Sequence, residues 1–249
     1  MNSNAKSLIG LICAAGMAWG LTSCAEMKAA PSTGGGFVPV AKMQQDPAFP
    51  FDKAWIQDGI DWQGYRTIYV KPVDTQYLLK SNWWQQNLRQ GQINKDAQTV
   101  ALYMQQRFKD AFRNDPQRRF RVVESPGPDS VTLELALTEL VPSNVVMEAA
   151  AMAAPGGSGL AATALDYATG ALSTVAFEAR VKDAKTGKVL AMFADREQPK
   201  LNPVDLKQLT WYAEANEAID DWADESVKVA NKRPNEIVSR AAPFSLKPW

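Results

Sequence analysis

Apolar and polar residues alternate most clearly between Val131 and Thr138. Aliphatic side chains occupy every second position there, and Thr132, Glu134 and Thr138 occupy positions between them. Successive side chains of a strand point to opposite faces of a sheet. The pattern therefore predicts a strand with one buried face and one face at least partly in contact with water. Pro142 closes this strand, because proline has no backbone N–H to donate to a neighbouring strand.

A second alternating stretch, residues 174–182, predicts a strand that turns back as a hairpin. Residues 183–187 read Asp-Ala-Lys-Thr-Gly, and Gly187 can adopt the positive φ that a short hairpin loop requires. Residues 189–193 then form the returning strand. The two strands are expected to pair antiparallel.

A helix is predicted between two further strands. Residues 65–73 and 120–124 are rich in β-branched and aromatic side chains, which favour strands. Between them, from Ala97 to Phe112, apolar residues recur at steps of three and four, the spacing of one helix face. Asn94 or Asp96 can cap the start of this helix.

A long helix is also predicted near the end of the chain. Asn202 can cap it and Pro203 can open it, and an apolar stripe runs from Leu209 to Ala230. The acidic residues between Asp220 and Glu225 alternate with that stripe. We interpret them as the solvated face of the helix.

The order of these elements predicts an α+β fold with a mainly antiparallel sheet, two principal helices packed against it and an Ala/Gly-rich excursion. We place a single domain at residues 61–231 and a C-terminal tail at 232–249. Residues 24–60, rich in Pro and Gly, form a lipidated N-terminus and a flexible tether. Apolar residues in the second half of the tether leave open whether that half lies against the domain: Phe37, Val38, Phe49, Phe51 and Trp55.

Residues 1–23 have the features of a lipoprotein signal peptide. A basic residue precedes an uncharged run of about a dozen residues, too short for the roughly 20 that a membrane-spanning helix needs. Leu21 and Ser23 before Cys24 resemble the bacterial lipobox, in which the cysteine sulfur receives a diacylglycerol. Ala25 at the next position implies sorting to the outer membrane, facing the periplasm. Ordinary signal cleavage beside Cys24 is the alternative.

The segment from Val145 to Gly170 is rich in small apolar residues and has a Pro-Gly-Gly centre that would break a membrane-spanning helix. One interpretation is a mobile excursion at one end of the sheet. The other is a surface that contacts lipid or a partner through exposed apolar area. The residues proposed for that contact are Val145, Val146, Met147, Gly156, Gly157, Leu160 and Leu165.

The composition narrows the function further. The chain has 27 basic and 27 acidic residues, and this lack of a basic surplus argues against a nucleic-acid partner. It has no histidine, the commonest general base and metal ligand. Cys13 would leave with the signal peptide and Cys24 would carry lipid, so no disulfide forms within the mature domain. We expect no catalytic residue, no metal site and no cofactor.

Two carboxylates nevertheless keep an enzymatic alternative open. A glycosidase needs two opposed carboxylates in a cleft lined by aromatics, and Asp195 and Glu197 accompany eight tryptophans in this chain. The simpler interpretation is that Asp195, Arg196 and Glu197 form surface or cross-strand ion pairs. We expect a non-enzymatic role with two partners, the membrane through the lipid and a protein or envelope component. The alternative is a carboxylate-dependent enzyme acting on envelope glycan.

Several short motifs together carry a family resemblance: Tyr65-Arg66 before Ile68 to Val73, Gly127-Pro128-Asp129 leading into Leu133 to Thr138, Pro142-Ser143-Asn144, Ala184 to Ala191, Asp195-Arg196 and Ala218 to Ala223. Through these motifs, residues 65–231 resemble a bacterial family of predicted lipoproteins catalogued as domain of unknown function 3313. Each of these motifs is short and none is catalytic. The resemblance implies a lipid-anchored envelope protein with no assigned activity.

Overall fold

The structure is a computed structural model that describes residues 30–79, 90–141, 174–197 and 213–241. Among these residues lie six strands, β1 to β6, with bounds Lys53–Ile56, Thr67–Val70, Arg121–Val122, Ser130–Val141, Thr174–Asp183 and Val189–Glu197. The α-helices are α1 (Gln76–Leu79), α2 (Gln90–Arg113) and α3 (Ala213–Asn231). The strands form one sheet in the order β1-β6-β5-β4-β2-β3.

The sheet is mixed but mostly antiparallel, which confirms the predicted α+β class. Strand β2 runs parallel to β3 and β4, and the other neighbours pair antiparallel. The predicted hairpin joins β5 to β6: Gly187 has φ of 72°, and its N–H donates to the carbonyl of Asp183 at 2.9 Å. The side chain of Asp183 accepts the N–H of Thr186 at 2.6 Å and so closes the turn.

One face of the sheet packs against α2 and α3. Phe177 of β5 lies between the two helices, with its ring centroid 6.4 Å from that of Phe108 in α2 and 4.5 Å from that of Trp222 in α3. All three side chains are fully buried. Truncating an aromatic ring in such a core costs about 3–5 kcal/mol, so this contact fixes both helices on the sheet.

The other face of the sheet is covered by residues 34–43 of the N-terminal segment (residues 30–49), and this corrects two expectations. Phe37, Val38 and their neighbours form a second apolar cluster against Ala136 and Ala194. The partly wet face predicted for the strand from Val131 to Thr138 is therefore wrong: Thr132, Glu134 and Thr138 are all buried. Strand β1 also belongs to the sheet, so the packed chain begins well before residue 61.

The ends of the elements differ from the predicted ones in two further places. Helix α2 begins at Gln90, upstream of the proposed caps at residues 94 and 96. After α3 ends at Asn231, the chain to residue 241 packs back on the fold, where Val238 is buried and donates its N–H to the carbonyl of Ala48 at 3.2 Å. The proposed cap at Asn202 lies outside the described residues. None of the helices in the described ranges is long and apolar enough to span a bilayer.

Candidate functional site

The N-terminal segment is attached to the sheet by the carboxylate of Glu178. This side chain is fully buried in β5, where its Oε2 accepts the N–H of Val38 at 2.7 Å and its Oε1 accepts the N–H of Gly35. A Cβ on Gly35 would lie 2.6 Å from the Cβ of Thr138, closer than side chains tolerate. Gly36 has φ of 97°, which other residues rarely adopt. The triple glycine therefore makes a close backbone contact here.

A second junction holds the start of the described chain at one end of the sheet. Arg196 of β6 donates from Nε and Nη2 to the two carboxylate oxygens of Glu139 in β4, at 2.9 and 2.8 Å. Its Nη1 donates to the carbonyl of Ala30 at 3.1 Å. Burial alone would raise the pKa of Glu139, but hydrogen bonds from Arg196 and Thr174 lower it overall. Glu139 therefore stays ionised and paired.

This junction also marks the point where β4 and β5 end. The hydroxyl of Thr174, the first residue of β5, donates to Glu139, and Val141 at the end of β4 pairs with Thr174. Ala30 is joined to the same Glu139 through Arg196. The start of the described N-terminal segment and both strand ends that flank residues 142–173 therefore lie together.

Further along the same face lies a groove with a volume of about 360 Å³. This size falls within the roughly 300–1,000 Å³ of small-molecule sites. Its walls mix apolar and charged side chains, and the lining residues are Phe37, Lys71, Pro72, Val73, Asp74, Thr75, Gln76, Glu134, Leu135 and Arg180. The guanidinium of Arg180 stacks on the ring of Phe37, with its carbon 4.2 Å from the ring centroid. The groove thus has a polar floor beside an aromatic wall.

Three cations converge on Glu134 at that floor. Its Oε1 accepts from Nζ of Lys71 at 2.9 Å, and its Oε2 accepts from Nε of Arg180 and lies 3.0 Å from Nζ of Lys182. Burial alone would raise the pKa of Glu134, but these hydrogen bonds outweigh it and lower the pKa to about 2. Glu134 is therefore an anion that positions three cationic side chains.

The carboxylate pair proposed for an enzyme occupies a different environment. Asp195 forms an ion pair with Arg240, but it is fully buried and does not lie at the surface. Its Oδ1 accepts the N–H of Asp52 at 2.8 Å, and its Oδ2 accepts from the indole Nε1 of Trp222 at 2.8 Å. Burial raises the pKa of Asp195 above its usual range, and the carboxylate of Asp52 raises it further, whereas Arg240 lowers it.

Arg240 connects this acidic cluster to the C-terminal segment. It pairs with Asp195, with Asp52 at 3.0 Å and with Glu197 at 3.4 Å, and its Nε donates to the carbonyl of Pro50 at 2.8 Å. All four groups it contacts lie in β6 or beside β1. The cluster therefore ties the chain after α3 to the sheet edge.

Glu225 shows that the acidic face of α3 is not uniformly solvated. The expectation that all acidic residues from 220 to 225 face water is wrong for Glu225, which is fully buried and accepts the N–H of Ala241 at 2.6 Å on Oε1. Its Oε2 has no hydrogen-bond partner within the described residues. Burial raises the pKa of Glu225 to about 8, with further contributions from the carboxylates of Glu197 and Asp195, while Ala241 and Arg240 oppose the shift.

Several residues proposed from the sequence lie outside the described ranges. These are the lipid-attachment residue Cys24 and the contact residues Val145, Val146, Met147, Gly156, Gly157, Leu160 and Leu165. Within the described residues, no group of three or more Cys, Asp or Glu side chains is arranged to hold a metal ion. Lys71, Glu134 and Arg180 were not among the site residues predicted from the sequence. The signal present there was the alternation of the charged residues Glu178, Arg180 and Lys182 along β5.

Comparison with known proteins finds a distant structural similarity. A PelC dodecamer from Paraburkholderia phytofirmans matches with a TM-score of 0.37 and 8% sequence identity, over 75% of this chain and 98% of that one. A variant of the same PelC dodecamer in another crystal form matches with a TM-score of 0.35 and 8% identity, over 69% of this chain and 94% of that one. Among curated protein sequences, none matches the chain.

The sequence itself matches a family model described as protein of unknown function (DUF3313). The match covers residues 36–226, more than half of the chain. It includes β1 and the residues of the N-terminal segment that cover the sheet, upstream of where the sequence resemblance began. The chain belongs to the DUF3313 family.

Proposed function

We propose that this protein is a lipid-anchored lipoprotein of the bacterial outer membrane, attached through Cys24 and facing the periplasm. Its folded part binds a partner protein or an envelope component and has no enzymatic role. The lipobox-like residues Leu21 to Cys24 provide the anchor. The fold determines which end of the sheet lies nearest to the anchor.

The carrying observation is the junction at Ala30. Its carbonyl is held by Arg196, which is itself fixed by two hydrogen bonds to Glu139. Only residues 25–29 separate Ala30 from Cys24. Each residue extends at most about 3.6 Å, so Ala30 lies within roughly 22 Å of a lipidated Cys24. The anchor would therefore hold this end of the sheet close to the bilayer.

The same geometry supports a contact role for the segment from Val145 to Gly170. The strand residues that flank it, Val141 and Thr174, lie at the junction that holds Ala30. A lipid anchor would thus bring the two strand ends that flank this segment near the membrane surface. Apolar side chains in that position gain free energy by contact with lipid or with an apolar partner.

The surroundings of Asp195 and Glu197 favour a non-enzymatic role. Glycoside hydrolysis requires two carboxylates that reach a substrate across a cleft. Asp195 is fully buried and accepts hydrogen bonds from the indole of Trp222 and the backbone N–H of Asp52. Glu197 pairs with Arg240. These contacts support a structural role for both carboxylates.

Metabolic labelling with palmitate tests the anchor. We expect the wild-type protein to incorporate label and float with outer-membrane vesicles, and Cys24→Ala to lose both properties. Cys13→Ala is the matched control, because it removes the other cysteine, and it should label like wild type. Equal labelling of the Cys24→Ala protein would contradict the proposal.

Cross-linking in intact cells tests the contact role. A deletion of residues 145–170 that retains wild-type stability should lose cross-links to its membrane or protein partner while keeping palmitate. An unchanged set of cross-linked products would exclude this segment as the contact surface. Retained palmitate separates this outcome from failure of the anchor.

A further inference from the structure

We propose that the groove beside Phe37 binds an oxyanion-bearing ligand, with a carboxylate or phosphate group held by Lys71 and Arg180. This site is separate from the lipid anchor, and only the choice of a free ligand over a bilayer lipid rests on the proposed function. The ligand class follows from the charges, the unused hydrogen-bond donors and the aromatic wall of the groove.

Positive charge is in excess around Glu134. Lys71 and Arg180 line the groove and contact Glu134, and Lys182, beside the groove, contacts the same carboxylate. Asp74 is a second acidic residue in the lining, and its Oδ1 already accepts the N–H of Gln76 at 2.8 Å. Three cations against two carboxylates leave one positive charge, and three cations held close together repel one another. A singly charged oxyanion would neutralise the site.

The donors needed to hold such an anion are present. Arg180 uses only Nε on Glu134, and its two terminal nitrogens donate to no group within the described ranges. These nitrogens form the planar edge that binds carboxylate or phosphate with two parallel hydrogen bonds. The ammonium of Lys71 makes one hydrogen bond, to Glu134, and its side chain is 45% exposed. It therefore has N–H donors available to the groove.

Glu134 and Phe37 fix the orientation of these donors. Glu134 is ionised and buried, and it holds the cations from below. The ring of Phe37 stacks on the guanidinium of Arg180 and prevents it from rotating freely. An arginine that is already ordered loses less conformational entropy when it binds an anion, which increases affinity. Phe37 and the exposed Pro72 also offer an apolar surface to the body of the ligand.

The position of the groove favours a ligand that is not a lipid of the anchoring bilayer. Glu134 and Glu139 lie on the same strand, and the junction with Ala30 is at Glu139. Because β4 has a bulge between Leu137 and Glu139, their partners Arg180 and Ala176 on β5 are four residues apart, which separates the two sites by about 13 Å. The groove is therefore displaced from the end that a lipid on Cys24 would hold at the membrane, and an acidic sugar or a small phosphate compound fits it better than a headgroup.

Calorimetric titration of the detergent-solubilised full chain tests this site. The probes are sodium glucuronate and methyl phosphate, with glucose as the neutral control. We expect both anions to bind saturably and to compete with each other, to weaken with added salt, and glucose to give no binding. If neither anion binds saturably, the proposal is overturned.

Variants then locate the site. Arg180→Gln should lower the affinity for both anions at least about tenfold, because it removes charge-assisted hydrogen bonds. Arg180→Lys, which keeps the charge and is the safer variant for folding, should weaken binding less. Lys188→Gln, in the exposed hairpin of the same sheet, is the matched control and should bind like wild type. Equal affinity in Arg180→Gln and wild type would place the anion elsewhere.

A soluble lipid distinguishes the two sources of phosphate. Dihexanoylphosphatidylglycerol, used below its micelle concentration, should compete with glucuronate no better than methyl phosphate does. Stronger competition that is lost in Arg180→Gln would identify a lipid headgroup as the ligand and overturn the assignment to a free molecule.

Discussion

The indole N–H of Trp222 in α3 donates a 2.8 Å hydrogen bond to the carboxylate of Asp195 in β6, and both side chains are fully buried. This bond connects the last helix directly to the sheet through a charged group. The other oxygen of Asp195 accepts the N–H of Asp52, and Arg240 pairs with the same carboxylate. One buried aspartate therefore joins the helix, the N-terminal part of the chain and the segment after α3.

Replacing Trp222 with Phe should test the strength of this link. The variant keeps an aromatic ring against Phe177 but leaves Oδ2 of Asp195 without its donor, and we expect a loss of about 1–3 kcal/mol in the free energy of unfolding. Urea unfolding of Trp222→Phe, Asp195→Asn and the double variant isolates the pairwise interaction from the loss of ring volume. A coupling energy of zero would show that the hydrogen bond does not stabilise the fold.

Local patterns in the sequence were sufficient for the helix-facing side of the sheet. Alternation around Leu133 and the glycine at 187 predicted β4 and the β5–β6 hairpin, because both signals act over a few neighbouring residues. The cover on the other face was not predictable in the same way. It depends on Glu178 accepting N–H groups from Gly35 and Val38, about 140 residues away in the sequence. A glutamate in an alternating strand indicates a wet face unless its distant partners are known.

The stability of the protein should fall as the pH rises towards 8 because of Glu225. Burial raises its pKa in the folded state to about 8 from an ordinary value of 4.5. The folded state therefore binds the proton more tightly than the unfolded state does. This contribution is complete below about pH 4.5 and is lost as the pH rises towards 8, with a slope of at most about 1.4 kcal/mol per pH unit.

Glu225→Gln should remove most of that slope. The amide is neutral at all these pH values and its oxygen can still accept the N–H of Ala241. Urea unfolding between pH 5 and 8 should therefore give a flatter curve than wild type and a more stable protein at the alkaline end. Glu217→Gln, at an exposed position of the same helix, is the control and should keep the wild-type slope. Identical slopes in Glu225→Gln and wild type would contradict a buried, proton-binding Glu225.

Gly35→Ala should release the N-terminal segment from the sheet. The added Cβ would lie 2.6 Å from the Cβ of Thr138, and backbone or strand must move to relieve the clash. Overpacking of this kind costs about 1–3 kcal/mol. Trypsin should then cleave after the exposed Lys42 faster than in wild type. At Gly64 the corresponding Cβ would make only an ordinary contact of 3.7 Å with Asp61, so Gly64→Ala should show neither effect.

The groove illustrates why the candidate site was harder to predict than the strands. Glu134 and Arg180 face each other because β4 and β5 pair in a register that sets Glu134 opposite Arg180. Lys71 joins them from β2's C-terminal side, where its N–H donates to the carbonyl of Leu133 at 3.0 Å. Each charge is ordinary in its own strand. Only the pairing register, which depends on the whole sheet, brings the three charges together.

Arg240→Gln should be the most destabilising single change in the acidic cluster. Arg240 is the cation that Asp52, Asp195 and Glu197 share, and its loss would leave buried carboxylates facing one another. Breaking a buried pair in this way costs about 3–5 kcal/mol, because the remaining charges lose their partner. Arg240→Lys keeps the charge but cannot reproduce the contacts to all three carboxylates and to Pro50, so its loss should be smaller. Chemical denaturation at neutral pH measures both variants. Lowering the pH should partly restore the stability of Arg240→Gln. Burial already raises the pKa of Asp195, and its protonation removes the repulsion between the carboxylates. A loss of stability that does not depend on pH would show that the arginine acts only through packing.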